Sequence, residues 1–74
     1  MDRAARLALL RVLRQSRSEA ALREGFYAFT EYASRLPLEQ RPTEEAVRDV
    51  LLAFGPDSRL ARALALDYHR RVWT

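Results

Sequence analysis

Apolar side chains recur along the 74 residues at intervals of three and four in four stretches, and nowhere with the two-residue period of a strand. The pattern predicts an all-α fold, a compact bundle of about four short helices over about 2–15, 19–36, 43–54 and 58–73. Punctuation between the stretches supports these limits. Asp2 is a suitable N-cap for the first helix, Ser18 for the second and Thr43 for the third, with Glu44 and Glu45 in a first turn that favours acids. Pro37 closes the second helix, because the residue before a proline is pushed out of the helical region. Gly55-Pro56 closes the third, and Asp57 or Ser58 caps the fourth. Short connections place successive helices against one another in a single domain.

Rotating each residue by about 100° separates inner from outer faces. The second helix puts Leu22, Gly25, Phe26, Phe29, Tyr32, Ala33 and Leu36 on one side, opposite Glu19, Arg23, Glu24, Tyr27, Glu31, Ser34 and Arg35. It is the expected spine of the core, and Gly25 on its apolar side is expected to admit a close neighbour. The first helix is expected to bury Ala5, Ala8, Leu9, Val12 and Leu13. For the third the set is Ala46, Val47, Val50, Leu51 and Phe54, and for the fourth Leu60, Ala61, Leu64, Ala65, Tyr68 and Val72.

Two groups break this division. Leu7 and Leu10 lie one turn apart on the first helix among Arg3, Arg6, Arg14 and Arg17. Either that helix packs on two sides, or the pair forms a self-association patch whose arginines meet Glu24 or Glu31 of a second copy. A chain this short buries only ~60% of its unfolded surface and gains from a dimer. On the fourth helix Arg59, Arg62, Leu66, His69, Arg70 and Trp73 follow one another at steps of three and four on the outer side. Arginine with a large aromatic is the composition of interface hot spots, so this strip is the expected partner-binding face. The alternative for Trp73 is that it folds back over the bundle's end.

Composition narrows the function classes. All thirteen basic residues are arginine and the net charge is +3, too small to argue nucleic acid alone. Uniform arginine fits the codon bias of a GC-rich genome, and the composition is that of a small bacterial-type protein. There is no cysteine, so no disulfide or thiolate metal site. His69 is the only histidine, and Asp67, two residues away, points elsewhere on the helix, so neither a catalytic dyad nor a histidine metal site is expected. With only two glycines, thirty residues apart, no phosphate-cradling loop forms. The chain is therefore read as non-enzymatic, without cofactor or metal, cytoplasmic and not membrane-bound. It is expected to act by binding a protein as an adaptor or inhibitor, most simply as a homodimer.

The alternative is a helix-turn-helix DNA-binding module using the last helix, with Arg59, Arg62, Leu66 and Arg70 toward a major groove. Pro56 in the turn and the acids Glu44, Glu45 and Asp49 on the supporting helix count against it. A joint basic surface made by the first and last helices is a second route to nucleic acid. It requires those two helices to be neighbours.

Overall fold

The computed structural model describes residues 1–74 and is all-α. The helices are α1 (Arg3–Gln15), α2 (Glu19–Ser34), α3 (Glu44–Phe54) and α4 (Ser58–Val72), with a 3₁₀ turn over Leu38–Gln40 in the long connector. Three N-caps form as expected. The Ser18 and Thr43 hydroxyls accept from the amides of Ala21 and Ala46, each at 3.1 Å. Asp57, not Ser58, caps α4, taking the amides of Arg59 and Leu60 at 3.0 and 3.1 Å. Asp2 precedes α1 but its side chain caps nothing. α2 ends at Ser34 rather than Leu36, because the amides of Arg35 and Leu36 bond three residues back and tighten the last turn before Pro37.

Which helices touch decides everything that follows. α1 packs on α2 and α3, and α4 packs on α3 and α2; α1 does not meet α4, nor α2 meet α3. Around the bundle the order is thus α1, α2, α4, α3. Charge alternates around that ring. α1 carries Arg3, Arg6, Arg11 and Arg14 with no acid, while α2 opposes Glu19, Glu24 and Glu31 to Arg23 alone. α4 carries Arg59, Arg62, Arg70 and Arg71 against Asp67, and α3 Glu44, Glu45 and Asp49 against Arg48. The two basic helices stand at opposite corners, so the joint basic surface considered from the sequence does not form.

The core is a single cluster built on Phe26 and Phe29 of α2 and Tyr68 of α4. The Phe29 ring stacks on Tyr68 at 5.8 Å between centroids and lies 5.9 Å from Phe26. Leu9, Val47, Leu51, Leu64 and Val72 close around them, each essentially without solvent contact. Both glycines are explained by close approach. A Cβ on Gly25 would stand 2.9 Å from a Val12 methyl, and one on Gly55 2.8 Å from a Leu13 methyl. Thr30 is also buried, an inward position the apolar pattern could not flag, and its hydroxyl is satisfied by the Tyr27 carbonyl at 2.7 Å. Phe54 corrects the expected core. It is 58% exposed, because α3 stops there and no element continues over it.

Because α2 and α3 are diagonal, the connector must cross the end of the bundle, and Arg41-Pro42 anchors that crossing. The Arg41 guanidinium donates to the carbonyls of Ser34 and Leu36, each at 2.8 Å, and of Val72 at 2.6 Å. It therefore closes the C-terminal ends of α2 and α4 together, where orphan carbonyls and the helix dipoles favour a cation. One residue on, the Pro42 carbonyl accepts from the Tyr68 hydroxyl at 2.5 Å and the Trp73 indole N–H at 2.8 Å.

Burial pushes the Tyr68 hydroxyl up to about 12, a rise that Trp73 and the Arg41 charge only partly offset. The folded state therefore holds this proton where the unfolded chain, near 10, releases it. The stabilisation is complete below pH 10 and is lost as pH rises toward 12. At about 1.4 kcal/mol per pH unit the loss is about 2–3 kcal/mol. Urea unfolding at stepped pH should show this decline, and Tyr68→Phe should lack that portion of it.

Candidate binding surfaces

The expected partner-binding strip is sorted by its neighbours. On the flank toward α2, Arg71 pairs with Asp67 at 3.1 Å and lies over the Tyr27 ring at 4.5 Å. Tyr27, read from the sequence as a lone outer aromatic, is thus a seat for a cation. On the flank toward α3, the His69 ring faces the Glu44 carboxylate at 3.9 Å. Trp73 stands at the end of the strip, partly exposed beside His69, Thr43, Glu44 and Glu45. It follows the last turn of α4, is half-buried against the core, and is held by its bond to Pro42. The alternative placement from the sequence is present as well, since the indole folds back over the bundle's end, where its N–H finds a buried acceptor.

Outward along its centre are Arg59, Arg62, Leu66 and Arg70, with His69, whose side chain is 51% exposed, at its edge toward α3. Leu66 is 42% exposed, and none of the three arginines has a carboxylate within ion-pair distance. Spacing brings these four together, since 59, 62, 66 and 70 differ by three and four. The small Ala63 lies exposed among them and leaves the Leu66 side chain accessible.

The expected self-association pair is divided by packing. Leu7 is 51% exposed, whereas Leu10 is half-buried and packs against the core cluster. Leu10 therefore serves the fold as well as the surface. Beside it, a groove of about 240 Å³ runs between α1 and α3, lined by Arg6 on one wall and by Asp49, Ala53 and Phe54 on the other. A wider cleft of about 400 Å³ opens at the end of the bundle between the 16–18 and 55–57 turns. Its floor is Leu13, Leu22 and Leu60, its rim Arg17, Glu19 and Asp57, and Phe54 stands between it and the groove.

His69 has a carboxylate neighbour but no nucleophile bonded to its other nitrogen, and no three His, Asp or Glu residues converge to hold a metal ion. No helix is long and apolar enough to cross a membrane. The chain is a small all-α bundle whose accessible features are surfaces. No family model, curated protein or solved structure matches it.

Proposed function

We propose that this chain is a non-enzymatic interaction module that presents the outer strip of α4 to an acidic, leucine-accepting surface of a larger protein, as an adaptor or inhibitor. One observation carries the reading. Leu66 is exposed among three arginines that have no internal acid, while the neighbouring Arg71 is paired with Asp67 and lies over Tyr27. An apolar anchor ringed by unpaired guanidiniums matches the organisation of a protein-binding hot spot. The guanidiniums orient a partner through bidentate bonds to carboxylates.

Affinity capture from native extract, with nuclease treatment, separates this from the DNA-binding alternative. A protein that stays bound after nuclease and through moderate salt is the expected result. Capture of nucleic acid alone, lost steeply as salt rises, would favour the helix-turn-helix reading, since each neutralised phosphate releases counterions. The diagonal placement of α1 supports the first outcome, because α4 alone offers few phosphate contacts.

A further inference from the structure

We propose that the α1–α3 face is the chain's self-association surface and that its occupant is a second copy, related by a two-fold axis running along the bundle. Three observations support this. First, α1 and α3 run in the same direction, since Arg6 and Asp49 line one groove while Leu13 reaches Gly55 one to two turns further on. Residues of the two helices therefore stand at matched levels, Arg3 with Glu45, Arg6 with Asp49 and Leu10 with Ala53, each step three or four residues apart.

Second, the charges on the two walls are opposite. Arg6 on α1 and Asp49 on α3 line the groove, lie exposed and make no ion pair within the chain. A two-fold axis parallel to the helices sets α1 of each copy over α3 of the other at the same level. Arg6 then meets Asp49, once at each of the two symmetric contacts, with Leu7 and Leu10 of α1 packed beside them. The acids come from α3, not from Glu24 or Glu31 of α2, because the groove joins α1 to α3. Such a patch is self-complementary, as an isologous interface requires. Third, the size is adequate. α1 and α3, of 13 and 11 residues, lie side by side over about 20 × 20 Å, or ~400 Å² a side, the size of a weak, reversible association.

The test is sedimentation equilibrium of the untagged chain from about 1 to 200 µM, a span that resolves micromolar association. The native chain is expected to dimerise, and Arg6→Glu and Asp49→Arg are each expected to weaken association at least tenfold by facing like charges. Mixing the two variants in equal amounts restores opposite charges at both symmetric contacts, so the mixture is expected to dimerise again. Leu7→Asp, at a position 51% exposed, provides a second test should either first variant fold poorly by circular dichroism, and it is likewise expected to weaken association at least tenfold. A native chain that stays monomeric throughout overturns the proposal. So does a dimer indifferent to the single changes, or a mixture that fails to recover. Leu66→Ser with Arg62→Ala should leave the dimer intact, which keeps this surface distinguishable from the α4 strip.

Discussion

Phe29→Ala is expected to remove about 3–5 kcal/mol of folding stability, the range of large aromatic truncations in a packed core. The Phe29 ring is 3% exposed and touches three aromatic neighbours, with Phe26 and Tyr68 under 6 Å and Tyr32 at 6.4 Å between centroids. Removing it opens a cavity where α2 and α4 meet, beside a Tyr68 ring that is tethered by its bond to Pro42. In a domain with a total of ~5 kcal/mol, this change should leave a large unfolded fraction at room temperature. Urea unfolding measures it directly. A loss under about 1 kcal/mol would place the core elsewhere.

Arg41→Met is expected to cost about 2–4 kcal/mol, although the side chain belongs to the connector at the edge of that core. Its guanidinium is the only side-chain donor to the Ser34, Leu36 and Val72 carbonyls. Methionine keeps an apolar stem but leaves all three to partial hydration. Arg41→Lys should recover less than half of the loss, because one ammonium cannot reproduce a planar fork aimed at two helix ends. Arg35→Met, at an exposed arginine nearby with no side-chain bond, should stay within about 0.5 kcal/mol. Comparable losses for Arg35 and Arg41 would mean that charge at this end, not geometry, provides the stabilisation.

Arg41 also shows what a sequence of this kind conceals. Helix periodicity and caps suffice for the four helices, because Ser18, Thr43 and Asp57 act through amides two or three residues away. The Arg41 contacts span up to 31 residues, and in the sequence it is one more arginine in a polar connector. Trp73 is hidden for the same reason. Its wheel position points outward, but the helix has ended and the indole turns back to Pro42. Phe54 errs the other way. Its spacing matches Val47, Val50 and Leu51, yet it is the terminal residue of α3 and nothing lies over it. Periodicity describes a helix's sides and is blind to its ends.

The α4 strip was legible where it depended only on the helix itself. Arg59, Arg62, Leu66 and Arg70 remain outward because no other element reaches that side. His69 and Arg71 behave differently because Glu44 and Tyr27 come to them from α3 and α2. Order around the bundle, with α1 opposite α4, follows from packing between helices distant in sequence. Single-helix patterns do not encode it, and it decides that the two basic faces act separately.

The most direct test of the binding role compares native chain with Leu66→Ser/Arg62→Ala, measuring melting temperature and affinity for the captured protein on the same samples. Both residues are exposed, so the melting temperature should change little. Affinity should fall more than about tenfold, equivalent to about 1.4 kcal/mol, which one hot-spot residue can supply. Unchanged affinity with unchanged melting would contradict the account, because the strip would then be solvent-facing surface and the partner would bind elsewhere.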